Sequence, residues 1–117
     1  MPDIPSAPPL DFGGSGDAWS PEQLLLGAVA SCFLLTFRAI AQGSKIDYTS
    51  IEVAGEGVVD RYDGVMRFTE IVLRPRLSLP PGADRVRVER ALEKAKRACL
   101  VSASLTPVTQ LEPEIMG

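Results

Sequence analysis

The sequence contains no histidine and only two cysteines, Cys32 and Cys99, among its 117 residues. The absence of histidine excludes Ser-His-Asp and Cys-His catalysis and removes imidazole ligands for zinc or haem. Two cysteines alone cannot complete a standard structural zinc site, and no Gly-rich phosphate-binding loop is present. Any chemistry must therefore come from cysteines, carboxylates, arginines or hydroxyls, and we expect no metal and no organic cofactor.

The chain also lacks a block of basic residues, and its net charge is −3. We therefore expect no nucleic-acid partner. Residues 1–19 hold no apolar stretch and no basic start, so no signal peptide is predicted and the cytoplasm is the expected compartment. In reducing conditions, two cysteines are more often redox-active or simply reduced than joined in a structural disulfide.

One long apolar segment, from Ser20 to Ala41, is the element around which the rest of the chain is organised. Ser20 is a good helix N-cap, Pro21 suits the first helical position, and Gly43 is the expected C-cap. Between Leu24 and Phe37 nearly every residue is apolar or small, which predicts a helix buried on every side. The apolar run of about fourteen residues is too short to span a bilayer, so we expect a core helix and no membrane partner.

A β-hairpin is predicted next. Residues alternate between apolar and polar from Tyr48 to Val59 and again from Val65 to Leu79, which indicates two half-buried strands. The dipeptide Asp63-Gly64 between them is a strong signal for a hairpin turn. Pro75 cannot donate a ladder hydrogen bond, so we expect it at a sheet edge or a bulge.

The last third of the chain predicts one helix and one strand. Asp84 to Cys99 is amphipathic, with Cys99 on its apolar face. A turn over Leu100–Leu105 and a strand from Pro107 to Ile115 follow. The predicted fold class is α+β, with both helices on one face of a mainly antiparallel sheet. No internal repeat or domain boundary is visible after the irregular N-terminal arm of residues 1–19.

Both cysteines fall on the core-facing sides of the two predicted helices. Free cysteine often acts as a small buried hydrophobic residue, and this interpretation stays open for each cysteine taken alone. Two helices in so small a domain must pack together, however. A pair of thiols brought close in this way can cycle between dithiol and disulfide.

The first helix carries two adjacent runs, SPEQLL from Ser20 to Leu25 and AVASCF from Ala28 to Phe33. They resemble the signature helix of the OsmC/Ohr family, the osmotically inducible and organic-hydroperoxide-resistance proteins. The segment from Ala91 to Leu105 resembles the second-cysteine segment of the same family. The resemblance covers about residues 12–115. It implies one OsmC-like domain over residues 20–117 and an intertwined homodimer with active sites at the interface.

The resemblance also implies a thiol peroxidase that reduces organic or lipid hydroperoxides in oxidative-stress defence. In the family, the first cysteine attacks the hydroperoxide and becomes a sulfenic acid. The second cysteine then condenses with it to a disulfide, which an external dithiol reduces. Carried over, Cys32 is the peroxidatic residue and Cys99 the resolving one. Glu22 matches the helix-start glutamate that pairs with an arginine holding the first thiol as thiolate.

The sequence departs from the family at that arginine. The family's arginine comes from N-terminal β structure ahead of the signature helix, whereas residues 1–19 contain no arginine. Without a cation, burial in apolar surroundings is expected to raise the pKa of Cys32. Arg61, Arg67 or an arginine of a second subunit are the possible substitutes. A non-catalytic OsmC-fold binding or structural protein and a thiol redox sensor therefore stay open as alternatives.

Overall fold

The computed structural model covers residues 1–117 and begins with an irregular N-terminal segment. This segment contains a 3-10 turn at Leu10–Phe12 and one bridge between Ser6 and Trp19. Three helices and four strands follow. In chain order they are α1 (Pro21–Gly43), β1 (Ser50–Tyr62), β2 (Val65–Ser78), α2 (Arg85–Ala98), α3 (Leu100–Ala103), β3 (Val108–Leu111) and β4 (Glu114–Met116).

Helix α1 begins where the sequence predicts. Ser20 Oγ accepts a hydrogen bond from the Gln23 N–H at 3.1 Å, and Gln23 Oε1 accepts one from the Ser20 N–H at 2.9 Å. This reciprocal pair is a capping box, and Pro21 occupies the first helical position. The predicted C-cap at Gly43 is wrong by one residue, because Gly43 is the last helical residue and Ser44 is the C-cap.

Only one stripe of α1 is buried. Val29, Phe33, Phe37 and Ala41 recur every four residues and face the core, whereas Leu35 is 55% exposed. The prediction of burial on every side is therefore wrong for the single chain, because the sheet and α2 cover only one side of the helix. The expectation that this segment is too short to span a bilayer is wrong for the complete helix. With 23 residues, α1 is long and apolar enough to cross a membrane by length and composition alone, a test that core helices of soluble proteins pass as well.

Strands β1 and β2 form the predicted hairpin. Asp63 and Gly64 both have left-handed backbone conformations, with φ of 52° and 80°, as a tight two-residue turn requires. The register shifts between Val58 and Val59, which pair with Glu70 and Phe68. Beyond this bulge the Phe68 ring lies directly over Gly57, where an added Cβ would collide with it.

The sheet is mainly antiparallel, as predicted, because the long β1–β2 ladder makes up most of it, but its last two strands join in parallel. The single strand predicted over 107–115 is two short strands, and both run parallel to β2: β3 pairs with residues 70–73 and β4 with residues 76–78. This direction follows from the connection, because a helix that crosses between two neighbouring strands returns the chain parallel to the first strand. The α+β class stands.

Pro75 lies in the central strand β2, opposite Val53, so its predicted position at an edge or bulge is wrong. Proline still cannot donate a ladder hydrogen bond, and the pairing of β2 accommodates this. Pro75 falls between the stretch of β2 that pairs with β3 and the stretch that pairs with β4. No ladder hydrogen bond is therefore missing at the position of its absent N–H.

Helix α2 completes the core. Asp84 Oδ1 caps it by accepting from the N–H groups of Val86 and Arg87 at 3.1 and 3.3 Å. The apolar face of this amphipathic helix points inward, as predicted, and packs with α1 against the sheet residues Ile71, Leu73 and Leu77. Burying each large apolar side chain contributes ~1.5–3 kcal/mol. The buried stripe of α2 consists of Val88, Ala91, Leu92 and Ala95, with Cys99 directly after them.

Candidate active site

Cys32 and Cys99 meet where α1 passes the end of α2. The two helices are antiparallel: Arg87 at the start of α2 donates to the Ser44 carbonyl at the end of α1. At the other end, the Cys99 thiol lies 3.9 Å from the Val29 carbonyl oxygen, to which it donates. Both cysteines are free, Cys99 is buried, and Cys32 is half-buried. The structure thus brings together the two thiols that the sequence placed on facing helices.

The chain breaks its helical path at Cys99. Helix α2 ends at Ala98, Cys99 is extended with φ −67° and ψ 108°, and α3 begins at Leu100. The turn predicted over residues 100–105 is therefore a new helical turn. The first N–H groups of a helix have no acceptor within it. In α3, the N–H groups of Leu100 and Val101 donate toward the Cys32 sulfur.

The surroundings of Cys32 lower the pKa of its thiol. The pKa of the Cys32 thiol lies below its ordinary value, first because the Val101 N–H donates to the sulfur. Burial acts in the opposite direction and raises the pKa, while the Cys99 thiol, the Thr36 hydroxyl and the Leu100 N–H lower it further. The expectation that burial raises the pKa of Cys32 overall is therefore wrong. Hydrogen bonds to the thiolate outweigh desolvation, and no arginine is among the donors.

Replacing Leu100 with proline tests the amide contribution. Proline has no N–H, Leu100 is the first residue of α3, and Cys99 already has the extended conformation that proline demands of its predecessor. In the wild type, we expect alkylation of Cys32 by iodoacetamide to reach half its maximal rate at a lower pH than in a free cysteine peptide. Leu100→Pro should move this profile to higher pH, because a thiolate that loses a donor becomes more basic.

The matched control is Leu100→Ala. The Leu100 side chain is 73% exposed, so its truncation removes little packing, and alanine keeps the N–H. The alkylation profile of Leu100→Ala, followed on the Cys32 peptide by mass spectrometry, should equal that of the wild type. A Leu100→Pro profile that also equals the wild type would contradict the assigned role of the amide.

Glu22 does not reach Cys32 within the chain. The two residues are ten positions apart on α1, or ~15 Å at 1.5 Å per residue. Glu22 Oε2 is buried and accepts no hydrogen bond. The residue lines a recess of about 450 Å³ between the N-terminal segment, α1 and the hairpin, whose apolar wall includes Phe12, Leu26 and Phe68. Because buried carboxylate oxygens are normally paired, this oxygen calls for a donor from outside the chain.

The two arginines considered from the sequence lie elsewhere. Arg67 donates to Thr106 Oγ1 at 2.7 Å, and its guanidinium carbon lies 5.0 Å from the centre of the Tyr62 ring. Arg61 donates to the Gly64 carbonyl at 3.3 Å, at the turn of the hairpin. Neither arginine is hydrogen-bonded to Glu22 or contributes to the pKa of Cys32.

The fold and the site together define a two-cysteine thiol protein: a half-exposed thiol of lowered pKa contacts a buried second thiol on a mixed α+β scaffold. The family model described as OsmC-like protein matches residues 14–114. The chain therefore belongs to the OsmC-like family, as the sequence motifs predict.

Individual relatives agree with this assignment. The Bacillus subtilis protein YmaD is 28% identical over 109 residues, which cover 91% of this chain and 73% of that protein. An organic hydroperoxide resistance protein of Xanthomonas axonopodis is 30% identical over 95 residues, 78% of this chain and 63% of that protein. An OsmC-like protein of Vibrio cholerae has the same fold, with a TM-score of 0.78 at 21% identity, over 86% of this chain and 67% of that one. The chain thus spans about two thirds to three quarters of the length of these relatives.

Proposed function

We propose that the protein is a cysteine-based peroxidase that reduces organic hydroperoxides through a Cys32–Cys99 dithiol/disulfide cycle, in oxidative-stress defence. The observation that carries this proposal is the contact between the two thiols, with Cys32 as the accessible one of lowered pKa. The thiolate is the nucleophilic form of cysteine, so the lowered pKa assigns the attack to Cys32. The organic hydroperoxide resistance protein among the relatives supports the choice of substrate.

The cycle has three balanced steps. The Cys32 thiolate attacks one peroxide oxygen; the S–O bond forms, the O–O bond breaks, and the alkoxide leaves and takes a proton to become an alcohol. The Cys99 thiol then attacks the Cys32 sulfenic acid, giving the disulfide and water. Finally, an external dithiol reduces the disulfide by thiol–disulfide exchange and is itself oxidised to a disulfide.

A thiol titration tests the proposal and separates it from its alternatives. One equivalent of cumene hydroperoxide should remove both thiols together and yield one equivalent of alcohol. Repeated turnover with excess dithiol then distinguishes an enzyme from a redox sensor, which would be oxidised and reduced without catalytic rates. Two thiols that persist after hydroperoxide treatment would favour a non-catalytic member of the fold.

We further propose that the working unit is a homodimer. The outward face of α1 exposes Leu35 together with the small residues Gly27 and Ala28, and nothing in the single chain covers it. Exposed apolar faces of this kind are closed by self-association about a two-fold axis. If two antiparallel α1 helices cross near Gly27, Glu22 of one copy lies level with Cys32 of the other, because both are five residues from Gly27.

This pairing of two α1 helices would bring Glu22 and its recess next to the Cys32 of the other copy, which the single chain does not do. The apolar recess beside Glu22 then opens toward the Cys32 of the other copy, where it can take the hydrocarbon part of a hydroperoxide. The buried Glu22 oxygen becomes available to an arginine contributed at the interface. Glu22 accordingly acts as a positioning residue that orients this guanidinium.

Substitution of Glu22 by glutamine tests that role. The loss of a first-turn carboxylate at a helix N-terminus costs only about 0.3–1 kcal/mol in stability. We expect Glu22→Gln to slow the reaction of Cys32 with hydroperoxide by about tenfold or more, which corresponds to at least 1.4 kcal/mol of transition-state stabilisation. Stopped-flow oxidation and thermal unfolding measure the two effects, and a lower melting temperature with an unchanged rate would contradict the role.

The cytoplasm is the compartment that we propose for this cycle. Disulfides are kept reduced there, so a dithiol that completes each turnover is at hand. The reductant must reach Cys32, the less buried of the two sulfurs, since Cys99 is buried.

A further inference from the structure

A second recess, of about 190 Å³, lies at the other end of the helix pair from the cysteines. Ile40, one of its wall residues, is eight positions after Cys32 and thus ~12 Å farther along α1. The recess is therefore separate from the thiol site. It is lined by Ile40, Ser44 and Ile46 from the end of α1 and the turn after it, and by Arg87, Arg90, Ala91 and Lys94 from α2.

Three cationic side chains line this recess without an acidic partner. Arg87, Arg90 and Lys94 are spaced three and four residues apart, which places them on one face of α2. The four ion pairs of the chain involve other cations. Arg87 is engaged by the Ser44 carbonyl, so Arg90 and Lys94 are the cations free to meet a ligand.

The distribution of charge along the chain favours binding of an anion at this recess. Helix α2 carries six of the twelve Lys/Arg residues and only two of the fifteen Asp/Glu residues. Positive potential is thus concentrated on one helix of an otherwise acidic chain, and such a surface attracts anions. The floor of the recess is different in character, because Ile40, Ile46 and Ala91 present only hydrocarbon.

We propose that this recess binds a short-chain aliphatic carboxylate, with its carboxylate against Arg90 and Lys94 and its hydrocarbon against Ile40 and Ile46. The volume is below the ~300–1,000 Å³ of pockets for drug-sized ligands, which selects a short chain. An inorganic anion would leave the apolar floor uncovered. An aliphatic alcohol would leave both cations without a partner.

Titration of the full chain with hexanoate, followed by NMR, tests the proposal. We expect amide shifts confined to residues around Ile40, Ile46 and Ala91, and a dissociation constant of about 1 mM, as suits so small a ligand. The double variant Arg90→Gln/Lys94→Gln should bind about tenfold more weakly, because each exposed charge pair contributes a few-fold. The matched control is Lys96→Gln/Arg97→Gln, which removes the same charge from the same helix outside the recess and should bind as the wild type does.

Several outcomes would overturn this assignment. Hexanol or inorganic phosphate binding as tightly as hexanoate would show that the head group and the tail do not act together. Equal loss of affinity in both double variants would show that only the overall charge of α2 matters. Shifts confined to residues outside the recess would place the ligand elsewhere. Because the four substituted side chains are on the surface of α2, all variants should fold, and circular dichroism verifies this.

Discussion

Replacement of Cys32 by serine is expected to reduce consumption of cumene hydroperoxide to the rate measured without protein. A serine hydroxyl is not ionised at neutral pH and cannot attack the O–O bond, even with the Val101 N–H in place. Replacement of Cys99 by serine should have a different result. Cys32 should still react once, but its sulfenic acid has no thiol partner, so excess hydroperoxide should convert it to the sulfinic acid.

Alcohol production over time and mass spectrometry of the Cys32 peptide distinguish these variants. A serine hydroxyl at the buried position 99 can donate to the Val29 carbonyl as the thiol does, so both proteins should remain folded, and thermal unfolding provides that control. Equal turnover by Cys32→Ser and the wild type would refute the peroxidase proposal. Continued turnover by Cys99→Ser would leave Cys32 as the nucleophile but remove Cys99 from the cycle.

The protein is expected to behave as a dimer in solution, with twice the 12.6 kDa mass of one chain. Light scattering at low micromolar concentration measures this directly. Leu35→Glu should convert the dimer to monomer, because it places a charge in the apolar outer face of α1, where it would be buried without a partner. The same variant should lose peroxidase activity, since Glu22 of one copy and Cys32 of the other would no longer meet.

Val86→Glu is the matched control for this experiment. Val86 and Leu35 are both apolar residues on helices, and each is 55% exposed in the single chain. If the outer face of α1 is the interface, Val86→Glu should remain dimeric and active. A folded, active wild-type monomer of 12.6 kDa would rule out both the dimer and the proposed source of the arginine.

The closeness of Cys32 and Cys99 could be predicted because it depends on the periodicity of apolar residues in the two helices. Each cysteine is placed by apolar residues three and four positions away, and two such helices in one small domain have few ways to avoid each other. The acidity of Cys32 was not predictable in the same way. It depends on an extended conformation at Cys99 that starts α3 one residue later, and Leu100 to Leu105 carry no proline or glycine to signal that break.

The hairpin and its turn could likewise be predicted, since Asp63-Gly64 between two alternating segments strongly favours a two-residue hairpin turn. The direction of β3 and β4 was missed because alternation within a strand is the same whether its neighbour is parallel or antiparallel. The strand–helix–strand order would have indicated a parallel return. The exposed side of α1 could not be predicted for another reason. Composition shows that a helix is apolar, but tertiary packing decides whether the rest of the same chain covers it.

The position of Pro75 between β3 and β4 has a consequence for local stability. No ladder hydrogen bond joins the two short strands through β2 at this point, so each can open without the other. Hydrogen exchange should therefore show Ile115 and Met116 opening as one unit while Thr109 to Leu111 stay protected. Helix α3, whose amides face Cys32, precedes β3 directly. Opening of β4 is therefore expected to leave α3 in place, so the pKa of Cys32 should not change when the last strand opens.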